Sequence, residues 1–212
     1  MQSFLLATTA VLIAEVTTQS LCPQNNGIMD DATRQRFWDD HNFDRSIVAR
    51  KAVTNAVGLR PASQMKQLRN YDCALEYAAY LRASQCSATD ESASAPSNNE
   101  NQYIHRNLNT ARPDVAKEAA RTWFSELTSR GLPQGTGQKN IYTSSLGVPH
   151  VARMIWETHT SIGCAVVKCV GFQKVVCYYA PELASMEGRQ IYRMGPTCNR
   201  CIRVCNDGLC NP

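Results

Sequence analysis

The sequence has no run of five like charges, no apolar segment long enough to span a bilayer and no internal repeat. The first absence removes the basic stripe or arm with which a chain follows a phosphate backbone, so no nucleic-acid partner is expected. The second leaves no transmembrane candidate. No Asn-x-Ser/Thr occurs, so no N-linked glycan is expected. Nor is there a Gly-x-Ser-x-Gly elbow, the turn that lifts a serine nucleophile above a sheet. Charge itself is modest: 22 Lys and Arg stand against 18 Asp and Glu in 212 residues, net +4, with 43% hydrophobic residues. That balance belongs to a globular chain, and the length suits one domain with a small appendage.

Cysteine, by contrast, is abundant. A chain of this length can build a core without staples, yet it carries ten cysteines. An even, high count points to an oxidising compartment. Phe4 to Ala14 form an apolar run of signal-peptide length, and Thr18 and Ser20 supply a small-x-small exit. The expected organisation is a signal peptide over 1–20, removed after Ser20, a main domain over 21–194, and a cysteine-rich tail over 195–212. The expected product is secreted and extracellular.

Asp30 and Asp31 precede a helical stretch whose face carries Phe37, His41, Val48 and Ala52, broken by Gly58 to Ser63. Asp72 caps a second helix with Leu75, Ala78, Ala79 and Arg82 at helical spacing. Residues 84–99 are small and polar and read as a mobile loop. Pro113-Asp114 opens a third helix with the stripe Val115, Ala119, Trp123, Leu127, ended by Gly131. Pro149 starts a short fourth helix. Two β-rich runs, from Cys164 and from Lys174, then form a hairpin. Placing Cys164 opposite Cys177 sets Val166 against Val175 and Lys168 against Gln173. The two cysteines become direct neighbours on one face, within reach of a disulfide. This order argues an α+β fold with helices packed on an antiparallel sheet.

Five segments stand out: His41-Asn42-x-x-Arg45, Glu100-Asn101-x-Tyr103, Trp123-Phe124-x-Glu126, the run from His150 to Trp156, and the hairpin with Val176-Cys177-Tyr178-Tyr179-Ala180-Pro181. Together they resemble the CAP superfamily: cysteine-rich secretory proteins, antigen 5 and pathogenesis-related 1 proteins. The start Cys22-Pro23 and the C-terminal cysteine cluster are similar to single-domain nematode activation-associated secreted proteins, also called venom allergen-like proteins. Val151 and Arg153 depart from the family's aromatic and Gln, and Leu183-Ala184 from its Gly-Asn. The resemblance implies a three-layer αβα sandwich with a short disulfide-rich tail. It implies the pairs Cys86–Cys169, Cys198–Cys205 and Cys201–Cys210 and supports Cys164–Cys177, which leaves Cys22 and Cys73 for each other. A Cys22–Cys73 link would contribute about 4 kcal/mol in the chain-entropy account.

The same resemblance implies a cleft where two histidines and two glutamates hold a divalent ion in some members. Glu100, Glu126 and His150 take three of those positions and are the candidate metal ligands. Asp90 stands at the fourth, where the family has histidine. One imidazole among carboxylates is a poor zinc set, so no cofactor and no stoichiometric zinc are expected. Crowded carboxylates must bind a cation, take up a proton or separate, and Asp90 is expected to separate by pointing to solvent. A hydrogen-bonded group of His150 with one or both glutamates is the plain alternative to a metal centre. His41 reads as a core histidine, and His105 and His159 as surface residues. Ser144 and Ser145 lie near His150 in sequence, but no nucleophile with a matched base is visible. Zinc on the Cys198, Cys201, Cys205, Cys210 cluster yields to disulfides in a secreted chain. The class that remains is binding by a non-catalytic monomer or weak dimer, and the resemblance implies a host protein, lipid or sterol as its partner. The alternatives are a divalent-metal-dependent hydrolase using Glu100, Glu126 and His150, and a structural surface-coat component.

Overall fold

The computed structural model describes residues 20–25, 27–56, 58–92 and 99–211. The expected signal segment therefore falls, up to residue 19, outside the described residues, as do residues 93–98 of the loop read as mobile.

Helix α1 spans Asp31–Ala49. Asp30 caps it, its Oδ1 accepting from the Thr33 backbone N–H at 2.8 Å. Lys51 turns to a positive φ of 58°, so the helix stops short of Ala52, which is exposed rather than part of the apolar face. Strand β1, Asn70–Tyr71, leads into α2, Cys73–Ala83, where Asp72 Oδ1 accepts from the Ala74 and Leu75 N–H groups. The buried face of α2 is Glu76, Ala79 and Ala83, one step round from the face read in the sequence. Glu76 is the cause: its carboxylate takes two bonds from the buried Arg34 guanidinium, at 2.7 and 2.8 Å. Strand β2, Glu100–His105, precedes α3, Arg112–Arg130, which buries Val115, Ala119, Trp123 and Leu127 and ends at Gly131, φ 73°. Then follow α4, Pro149–Met154, and the hairpin β3, Ser161–Cys169, with β4, Phe172–Ala180. The tail holds β5, Cys205–Asn206, and β6, Leu209–Cys210.

The main sheet runs β1-β3-β4-β2, antiparallel except for the short parallel β1–β3 pair. Cys164 faces Cys177, Val166 faces Val175 and Lys168 faces Gln173, the register expected from the hairpin. Alternation then divides the sheet's faces. Ile162, Cys164, Val166, Val175, Cys177 and Tyr179 join the main core with α1, α3 and α4. Ala165 and Val176 point the other way and meet Ala79 and Ala83 of α2. Three layers result. Gly163 sets the spacing of the second interface, because a Cβ there would lie 2.3 Å from the Glu76 nitrogen. Burying Phe37, Trp123 and Leu127 fully is worth about 1.5–3 kcal/mol each.

All ten cysteines pair as Cys22–Cys73, Cys86–Cys169, Cys164–Cys177, Cys198–Cys205 and Cys201–Cys210. The tail is knitted to the domain as well: Cys210 N–H donates to Met65 O at 2.7 Å, and Leu209 is buried in the main core. No described helix is long and apolar enough to cross a membrane.

Candidate functional site

The short helix α4 has no side-chain cap of its own, since Val148 precedes Pro149. Its exposed N–H groups are satisfied from α3. Glu126 Oε2 accepts from the His150 and Val151 backbone N–H groups, both at 2.9 Å. Glu126 Oε1 lies 2.6 Å from His150 Nδ1. One carboxylate thus starts the helix and holds the ring of its second residue. Trp123, one turn back on α3, stacks on that ring with centroids 6.3 Å apart.

The other ring nitrogen is occupied too. His150 Nε2 lies 3.0 Å from Asp90 Oδ2 and 3.0 Å from Ser92 Oγ. Asp90 therefore does not swing away, as the crowding argument expected. Its side chain is one-third exposed, but the carboxylate faces the imidazole. The physical reason is that the carboxylates need not separate when each finds a cation. Glu126 and Asp90 share His150, while Glu100 takes Tyr178 OH at 2.5 Å, Gln102 Nε2, and Arg82 Nε at 3.5 Å. The structure brings Asp90, Glu126 and His150 together and gives Glu100 separate partners, with Gln102 between the groups: its N–H donates to Ser92 Oγ at 2.9 Å. The loop before residue 93 is tied down by Arg153 Nη2 on Ser92 O and by Lys174 Nζ on Thr89 O.

Burial alone would strip the proton from His150. Hydrogen bonds to Asp90 and Glu126 overcome it and raise the pKa to about 9. Burial likewise opposes the Asp90 charge, and the imidazolium reverses that, holding its carboxyl below the ordinary value. Tyr178 is pushed up by burial and then by the Glu100 carboxylate.

Two histidines read as surface residues are not. His159 is fully buried, stacks on Tyr179 at 5.4 Å and bonds Arg153 O through Nδ1 at 2.9 Å. His105 is buried beside Thr110 and Glu118. His41 is the core residue its helix position implied, with Nδ1 on Phe37 O and Nε2 accepting from Tyr179 OH at 2.9 Å. Sequence reasoning missed Ser92. Its only local signal was Asp90-x-Ser92, a spacing at which the aspartate accepts from both the serine N–H and hydroxyl. Ser145 bonds Thr143 instead of approaching the imidazole. In the tail, Cys198, Cys201 and Cys205 bring their sulfurs together, but all are spent in disulfides and offer no thiolate to a metal.

A disulfide-stapled αβα sandwich, with a histidine at the head of a short helix held by a glutamate from the third, defines a class of cysteine-rich secretory folds. The chain belongs to the cysteine-rich secretory protein family, CAP, whose model matches residues 51–179. It is similar to hookworm platelet inhibitor 1 of Ancylostoma caninum, 35% identical over 205 residues, 95% of this chain and 89% of that protein. Ancylostoma secreted protein of the same organism is 33% identical over 206 residues, which are 92% of this chain and 47% of that protein. The crystal structure of NaASP2 with Zn2+ matches with a TM-score of 0.77 and 31% identity, covering 88% of this chain and 98% of that one.

Proposed function

We propose that the protein is exported and acts outside the cell by binding a host component, a protein or a lipid, without catalysing a reaction. The observation that carries this reading is the saturation of His150. With a pKa of about 9 the ring is an imidazolium at neutral pH, donating one N–H to Glu126 and the other to Asp90 and Ser92. Ser92, His150 and Glu126 have the connectivity of a nucleophile relay. A protonated ring, however, cannot take the Ser92 proton, and the Ser92 side chain is buried. Both ring nitrogens are already engaged, so zinc would have to displace a proton and a carboxylate, and one imidazole among carboxylates is a poor donor set for that ion. Chemistry in the cleft is replaced by an internal charge network, and function passes to the surface. The relative named for platelet inhibition supports a target in host blood.

The test is binding of labelled, disulfide-intact protein to host plasma proteins and platelets, with and without chelator. Saturable, chelator-insensitive binding with no hydrolysis is expected. Hydrolysis that chelator or His150→Ala abolishes would overturn the reading in favour of a metal-dependent hydrolase. Absence of any host binding would favour a structural coat component. Calorimetric titration with zinc should show no stoichiometric uptake, and Asp90→His should gain some. One-to-one binding at micromolar affinity by the unmodified protein would show that the carboxylates do not hold the ring against a metal.

A further inference from the structure

Basic residues that are scattered in sequence converge on one side of the fold, away from the His150 cleft. A groove of about 480 Å³ is lined by Arg60, Lys139, Arg193 and Arg200, with Gln138 and Gln190 between them. A second, of about 440 Å³, carries Lys66 and Arg203 beside Gln64. The two meet where Arg193 Nη1 donates to Gln64 Oε1 at 3.2 Å and the Arg200 N–H to Ser63 O at 2.9 Å. Among the described residues, no carboxylate lines either groove. Arg193 alone of these cations has an ion pair among the described residues, its Nε 3.7 Å from the nearly buried Glu157 carboxylate, which lies outside the grooves. Neither groove shares a residue with the His150 cleft.

We propose that these joined grooves bind a sulfated polysaccharide. Glu157 offsets Arg193 only in part, the like charges that remain repel one another, and an anion in the groove relieves that repulsion. The cations stand on backbone fixed from below: Gln134 Oε1 accepts from the Arg60 N–H at 2.5 Å, and Tyr192 OH donates to Arg60 O at 2.9 Å. The two tail disulfides, Cys198–Cys205 and Cys201–Cys210, hold the segment bearing Arg200 and Arg203. A site so fixed loses little freedom on binding. Two adjoining grooves suit a chain of anionic groups better than a single anion. The guanidinium groups match sulfate and carboxylate oxygens, and the glutamine amides match sugar hydroxyls. No aromatic ring among the described lining residues offers a base a stacking platform, which disfavours single-stranded nucleic acid. A flat bilayer does not enter a groove, although Ile202, 92% exposed, is what a membrane would use. The site stands whether or not the host-binding reading above holds.

The experiment is titration of the intact, oxidised protein with heparin oligosaccharides at about 150 mM salt. Binding that weakens steeply with added salt is expected. Lys139→Glu with Arg200→Glu should weaken it by about tenfold or more. The same charge change on α3, Lys117→Glu with Arg121→Glu, should leave it within about twofold. If the first variant fails to fold, Arg60→Gln keeps the backbone bonds and should still weaken binding about threefold. No binding, or equal losses in the groove and α3 variants, would overturn the proposal. Tighter binding to phosphatidylserine vesicles or to single-stranded DNA than to the sulfated chain would overturn the ligand class.

Discussion

Two histidine clusters lie side by side in this fold, one with neutral rings and one with a charged ring. His41 and His159 flank Tyr179 in the core, and burial lowers their pKa values to about 4 and about 3, so both rings are neutral. His150 is nearly as buried, yet its ring is charged. Asn101 joins the clusters, donating to Tyr179 OH at 2.9 Å and to His150 O at 3.0 Å. The difference is the company each ring keeps. His41 and His159 meet a backbone carbonyl each and the cation Arg45, while His150 meets two carboxylates. Desolvation favours the neutral ring everywhere, and paired carboxylates reverse it only where they converge.

That contrast can be broken most directly at Glu126. Glu126→Ala uncaps α4 and removes one counter-charge, so a loss of about 3 kcal/mol or more is expected in urea unfolding at pH 7. A loss below about 1 kcal/mol would mean that the carboxylate holds neither helix nor ring. Next in size is an alkaline decline. The folded pKa of His150 lies above the unfolded value, so its contribution is full below pH 6.5 and disappears as pH rises through about 9. Stability should fall by about 2–3 kcal/mol on that limb, and His150→Gln should remove the fall. Asp90→Asn leaves Glu126 in place and should cost about 1–2 kcal/mol at pH 7, while moving the His150 titration seen by proton NMR towards the ordinary value. An unmoved titration would show that Asp90 is a bystander. The smallest effect has the opposite sign of pH. His41 and His159 have depressed folded values, so their contributions are present above pH 6.5 and lost as pH falls towards about 4 and about 3. Each should withdraw about 1 kcal/mol by pH 5.5, with no ring titration visible between pH 6 and 8. A ring of either residue titrating near 6.5 would erase the contrast.

Local patterns were informative where one periodicity governs the outcome. The Asp30 and Asp72 caps, the α3 stripe and the hairpin register could be read because strand alternation and helix spacing decide which side chain faces which. His41 was legible for the same reason, lying on an apolar helix face beside Phe37. The α2 face was misread because the buried position is a glutamate, placed there by Arg34 from another helix. Asp90 and His150 were placed at one cleft only through the family resemblance, with Asp90 expected to turn away, and Ser92 could not be joined to them, since 58 residues separate it from the ring. His159 was invisible because it follows no stripe and is covered by Tyr179 from β4.

The basic grooves show the same limit in charge. No basic run exists in the chain, yet Arg60, Lys66, Lys139, Arg193, Arg200 and Arg203 share one face. Sequence alone determined the helices, the paired hairpin, the oxidised cysteines and the family, because each rests on short-range spacing or on residue types whose chemistry is nearly independent of context. Tertiary structure decided the protonation of each histidine, the partner of each cleft carboxylate and where the positive charge collects. Those depend on which groups are brought within a few ångströms of one another and how much water is left between them, and electrostatic energy varies with both far more steeply than with position along the chain.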